Sequence, residues 1–228
     1  MVTNKSIAQS EIVYPERDGK PMADNTKQYR WRVAIQQNLD RLFADDPLVF
    51  VAGNLFWYPV EGRPDIVTAP DVFVVFGRPK DDRGSYRQWD EAGIAPQMVF
   101  EILSPGNSKM EMSKKLLFYD RYGVEEYYLY DPDRNDLEGW QQTDDGLDSI
   151  ESIEAGWVSP RLRIRFERSE ETLQIYRPDG TLFYSFNEIN RQLNEAEQRA
   201  TEAERRSSEM EELLQQYRER FGDLPESE

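Results

Sequence analysis

Residues 98–132 read MVFEILSPGNSKMEMSKKLLFYDRYGVEEYYLYDP, and the fold turns on how that stretch divides. Its first six residues, Met98–Leu103, are apolar at every position except Glu101, the pattern of a central strand covered on both faces. Ser108 with Glu111 three residues on forms a capping-box pattern. Gly123 is placed for a left-handed stop, so the spacing predicts a helix near Lys109–Tyr122. The aromatic run Glu125–Tyr130 then reads as a second strand.

Working outward, Val72–Phe76 (VFVVF) is another run apolar on both faces, and Leu48–Ala52 and Asn54–Val60 are further short β-type runs. Gly77–Pro96 is polar, carries Trp89 and is too long for a tight turn, so a surface loop is expected. Trp31, Ala34, Ile35, Leu39, Leu42 and Phe43 repeat at helical spacing; Asp24, Asn25 or Thr26 can cap that helix, and Pro47 bars its continuation. Residues 1–25 have no period and read as an N-terminal arm, loosely packed.

Downstream, residues 136–184 read as short strands and turns. Leu162, Ile164 and Phe166 alternate with Arg161, Arg163 and Arg165, as a half-exposed antiparallel strand does. The order predicts an α/β core over 26–184, with a mixed central sheet flanked by helices and antiparallel strand additions. Residues 185–228 differ in kind. Leu182, Phe186, Ile189, Leu193, Ala196, Ala200, Ala203, Ser207, Met210, Leu214, Tyr217 and Phe221 advance by fours and threes, a heptad seam. A continuous helix over 182–221, pairing as a coiled coil in a homodimer, is the expectation.

Composition narrows the chemistry. With no Cys and no His, disulfides, thiolate zinc sites, cysteine nucleophiles and imidazole bases are excluded. What remains is carboxylates, Lys, Tyr, Ser and a hard metal ion. The 28 basic against 44 acidic residues give a net charge of −16, which opposes phosphate-backbone binding unless a local groove is basic. Arg161, Arg163, Arg165, Arg168, Lys109, Lys114 and Lys115 are the candidates for such a groove, although an arginine stripe is more often a solvated strand face. No apolar run has the length of a signal peptide or membrane span, so a cytoplasmic protein with no membrane partner is expected.

Three features carry candidate chemistry. Pro70-Asp71 stands at the mouth of the VFVVF strand, whereas Pro64-Asp65 lacks a following apolar strand. Glu101 lies among apolar strand residues and needs a charged partner or a metal. Lys115, four residues before Tyr119 and on its face, follows on the helix beside Lys114. Each has a bland alternative: a turn device, a strand ion pair, and a solvated helix face on which Glu111 pairs with Lys115.

The strings APDVFVVFG, VFEILSP, the KxxxY helix and YGVEEYYLYDP resemble a family of restriction-endonuclease-like proteins within the PD-(D/E)xK nuclease superfamily. The resemblance runs from about residue 20 to residue 140 and more weakly to 184. It implies a restriction-endonuclease-like core with Asp71, Glu101 and Lys115 as catalytic residues. Asp71, Glu101 and the backbone carbonyl of Ile102 would hold Mg²⁺ or Mn²⁺, and the substrate would be nucleic acid, DNA foremost. Leu103 stands where the superfamily motif has its lysine; the family places that lysine on the next helix, at Lys115, with Lys114 the fallback. The competing class is an inactive nuclease-like interaction protein assembling through its coiled coil.

Overall fold

In chain order the secondary structure comprises α1 (Thr26–Leu42), β1 (Val49–Ala52), β2 (Trp57–Tyr58), β3 (Val72–Phe76), β4 (Tyr86–Arg87), β5 (Met98–Ile102), α2 (Lys109–Tyr122), β6 (Glu126–Asp131), β7 (Asp136–Thr143), β8 (Gly146–Ser149), β9 (Ala155–Val158), β10 (Arg165–Arg168), β11 (Leu173–Tyr176) and α3 (Phe186–Phe221). These come from a computed structural model that describes residues 12–16 and 25–222. The chain divides between Phe183 and Tyr184 into two units, the second consisting essentially of α3.

The first unit is built on a six-stranded sheet of order β1-β3-β5-β6-β7-β8. Only β5 and β6 run parallel, as the helical connection α2 between them permits; every other neighbouring pair is antiparallel. The class expected from sequence, an α/β core with a mixed central sheet and antiparallel additions, is therefore the observed one. Its central strands are apolar on both faces because both faces are covered. Val72 and Val74 of β3 with Phe100 of β5 meet Ile35 and Leu39 of α1 and the β9–β11 sheet. Phe73, Val75 and Val99 meet Met112 and Tyr119 of α2, with Trp57 and Tyr86 of the small parallel β2-β4 sheet.

Local signals set the helix ends. Asn25 caps α1, its side chain accepting from Gln28 N at 2.7 Å. Ser108 accepts from Glu111 N at 3.2 Å, so half of the capping box forms. Gly123 closes α2 at φ 91°, a left-handed conformation that side chains resist. In β7, Gly139 is required for a different reason, since a Cβ there would lie 2.3 Å from Ile153 Cδ1.

Several sequence expectations need correction. Asn54–Val60 is not one strand: Asn54 has φ 52° and only Trp57–Tyr58 pairs. The Gly77–Pro96 connection is not purely surface loop, for it buries Tyr86 in β4, and Arg78 and Arg83 both grip Glu91, at 2.8 and 2.6 Å. Leu162, Ile164 and Phe166 are buried as read, but the strand starts only at Arg165, because residues 159–163 turn and Arg163 has φ 60°. Of the 1–25 arm, residues 1–11 and 17–24 lie outside the described residues. The described part is seated rather than loose: Pro15 O accepts from Tyr58 OH at 2.6 Å and Tyr14 packs on Trp89.

The second unit is one helix with a complete capping box between Ser185 and Glu188. Leu182 is not part of it; it bridges to Tyr176 instead. Among the described residues, no helix is long and apolar enough to cross a membrane.

Candidate functional site

Antiparallel pairing sets Val72 opposite Phe100, and one step further along that register places residue 71 opposite 101. Facing residues of an antiparallel pair share a sheet side. Asp71 and Glu101 therefore emerge together at the end of β3 and β5, on the side covered by α2. Both are buried, at 8% and 3% exposure.

Each carboxylate is held by one oxygen. Asp71 Oδ2 accepts from Ile102 N at 2.8 Å, while Oδ1 lies 4.0 Å from Arg32 Nη1. Glu101 Oε1 accepts from Lys115 Nζ at 2.7 Å and from Tyr119 OH. The KxxxY spacing thus brings both donors of one helix face onto one oxygen, one turn apart. Trp57 stacks on the Tyr119 ring at 6.3 Å and fixes its position. Lys114 is exposed, and the hydrogen bond of Lys115 runs to Glu101 rather than to Glu111 within the helix.

Burial dominates the electrostatics. It pushes the Asp71 carboxyl up to about 7, with the Glu101 charge adding to it and the Ile102 amide, Lys115 and Arg32 opposing. Burial works against the Lys115 ammonium, yet the charge and hydrogen bond of Glu101, with Asp71 and Glu111, outweigh it and hold the group above the ordinary lysine value. The Tyr119 phenol is raised well above its usual range, first by burial and then by Glu101. Below it Tyr127, ring centroids 4.9 Å apart, has the one buried side-chain polar atom without a hydrogen bond among the described residues.

Sequence reading missed two members of the site, both from α1. Gln28 Nε2 donates to the carbonyl of Ile102 at 3.0 Å, and Arg32 faces Asp71. They are an i, i+4 pair, but nothing in a polar helical stretch ties it to strands so much further along the chain. The Ile102 carbonyl, named as a metal ligand, is thus engaged by Gln28, with a second lone pair remaining.

The donor set suits a hard divalent cation. Two buried carboxylates, each tied by one oxygen, and a backbone carbonyl offer oxygen ligands only, the preference of Mg²⁺ and Mn²⁺. Among the described residues no group of three or more Asp, Glu, His or Cys is placed to hold an ion, so water must fill the remaining positions.

The surroundings are less basic than the arginine stripe suggested. Arg161 forms two hydrogen bonds to Glu125, Arg168 meets Glu154 at 2.9 Å, and Arg165 pairs with Glu167. Those three arginines are paired with acids at the surface. A cleft of about 640 Å³ lies beside the site, between the start of α2 and the β6–β7 hairpin; Ser108, Lys109, Glu138 and Trp140 line it, and none of Asp71, Glu101 and Lys115 does.

The family model described as "Putative restriction endonuclease" (Uma2) matches residues 17–167. No curated protein matches the chain. Among solved structures, the chain is similar to one described as a "putative nuclease belonging to DUF820 from Anabaena variabilis". The two share 18% identity and a TM-score of 0.46, over 63% of this chain and 77% of that one.

Proposed function

The chain belongs to the Uma2 family of restriction-endonuclease-type proteins, and from that premise we propose that it is a divalent-metal-dependent nuclease. It would hydrolyse phosphodiester bonds in nucleic acid, DNA being the proposed substrate, and work as a homodimer joined through α3. The observation that carries the reading is the meeting of Asp71, Glu101 and Lys115, with Lys115 Nζ 2.7 Å from Glu101.

Asp71, Glu101 and the Ile102 carbonyl are the proposed ligands of Mg²⁺ or Mn²⁺. When bound, such an ion activates a water and polarises the scissile phosphate. Lys115 stays protonated at neutral pH because its neighbours hold its pKa up, so it serves as a fixed cation and donor rather than a base. Its bond to Glu101 aims it at the point where negative charge develops. Tyr119 steadies the same carboxylate from a rigid aromatic seat. Arg32 adds a second cation beside Asp71.

One reading from another class has its own support. The net charge of −16, with three of the four stripe arginines paired to acids, favours a nuclease-like interaction protein without activity. The deciding experiment incubates the full chain with supercoiled, linear and single-stranded DNA and with RNA, across ionic strength, with Mg²⁺, Mn²⁺ or chelator. Metal-dependent cleavage that disappears in Asp71→Ala and Glu101→Ala supports the nuclease. Cleavage that survives chelation or either substitution contradicts this mechanism. No cleavage and no metal binding selects the interaction protein.

A further inference from the structure

We infer that α3 pairs with α3 of a second copy in a parallel, in-register, two-stranded coiled coil whose orientation is written in its flanking charges. The inference rests on the homodimer reading above and is independent of the nuclease reading.

The seam supplies the phase. Three- and four-residue steps put Phe186, Leu193, Ala200, Ser207 and Leu214 at the first core position, a, and Ile189, Ala196, Ala203, Met210 and Tyr217 at the second, d. Leu193, Met210, Leu214 and Tyr217 are large, apolar and exposed, each 41% or more. Over its three central heptads the positions beside this seam divide by sign. On one flank, g, stand Gln192, Arg199 and Arg206; on the other, e, stand Glu197, Glu204 and Glu211, with Leu213 at g and Arg218 at e following beyond them.

That division fits only one orientation. In a parallel pair each g residue faces the e residue five positions on in the partner helix. Arg199 then meets Glu204 of the second copy, Arg206 meets Glu211, and Gln192 meets Glu197, twice over by symmetry. An antiparallel pair sets g against g and e against e. It would bring Arg199 and Arg206 together on one flank and the three glutamates together on the other, and like charges at such positions repel. The helix's own ion pairs leave this pattern available: Arg205–Glu209 lies on the outer face at 3.1 Å, and the Arg206–Glu202 contact is a loose 3.8 Å.

The small residues at the centre, Ala196, Ala200, Ala203 and Ser207, bury little surface. Affinity must therefore come from the large residues at the ends, while the charges select the orientation. Each α3 follows its own first unit in the chain, so parallel pairing puts the two chain connections at the same end of the paired helices.

The test uses the full chain, whose lack of cysteine makes single-cysteine probes clean. Sedimentation equilibrium should give a dimer. Leu193→Cys and Ser207→Cys should each oxidise to a covalent dimer, because matching a positions face each other across a parallel seam; a fully overlapped antiparallel pair crosslinks neither. Arg199→Glu combined with Arg206→Glu should weaken dimerisation about tenfold or more, since four attractive contacts turn repulsive. Adding Glu204→Arg and Glu211→Arg to that variant should restore it. A monomer, or a trimer or larger assembly, overturns the homodimer itself. A dimer that neither crosslinks through these cysteines nor responds to reversal of the g charges overturns the parallel orientation alone.

Discussion

Replacing Asp71 with asparagine keeps an oxygen to accept from the Ile102 amide and removes a charge that the fold holds at a cost. The size of that cost follows from the shift of this carboxyl from 3.8 to about 7. A carboxyl whose folded value is raised binds more protons when folded than when unfolded, so its contribution to stability falls as pH rises between those two values. Three pH units at 1.36 kcal/mol each give a ceiling of about 4 kcal/mol. Below pH 3.8 Asp71→Asn and the parent should have equal stability. The variant's advantage should then grow through the window and level off above about pH 7. Urea unfolding of both proteins at successive pH values, in chelator, measures it. Adding Mg²⁺ at pH 8 should stabilise the parent and not the variant, because an ion bound only by the folded state shifts the balance. A gap that is the same at every pH, or a variant less stable than the parent at pH 8 in chelator, would mean that the buried Asp71 charge carries no such cost.

Lys115→Ala should leave Mn²⁺ affinity within a few fold of the parent and slow cleavage by about 10²-fold or more, whereas Lys114→Ala should change neither; single-turnover rates with calorimetric titration separate the two effects. Glu126 is a third buried carboxylate, with no part in the site: it accepts from Tyr128 OH at 2.7 Å, from Ser159 Oγ and from Arg161 N at 2.8 Å. Glu126→Ala should cost about 3 kcal/mol by leaving those donors buried without an acceptor. The urea midpoint reports that loss, and one below about 1 kcal/mol would show the network to be dispensable.

The central sheet was readable because its strands obey simple rules. VFVVF, and MVFEI apart from Glu101, are apolar at successive positions because α1 and α2 cover opposite faces. α2 was readable at both ends, through Ser108 and Gly123. The turn at residues 159–163 was not, because the alternation Leu162, Ile164, Phe166 mimics a strand. Burial of those side chains is real, but a left-handed Arg163 and the Glu126 anchor decide the backbone. The site divides in the same way. Asp71 and Glu101 stand out by type beside apolar strand residues and Lys115 by its four-residue spacing to Tyr119, and strand register and helix periodicity bring them together. Gln28 and Arg32 reach the site only through the packing of α1, a long-range fact with no local signal.

The most direct test of the proposed metal site is a crystal structure of the full chain grown with Mn²⁺ and measured for anomalous scattering. One strong peak is expected between Asp71 and Glu101, with carboxylate oxygens of both and the Ile102 carbonyl at about 2.1 Å and waters completing six ligands. A Mn²⁺ ion bound elsewhere, such as in the cleft beside Glu138, or no ion between the two carboxylates at saturating concentration, would contradict it.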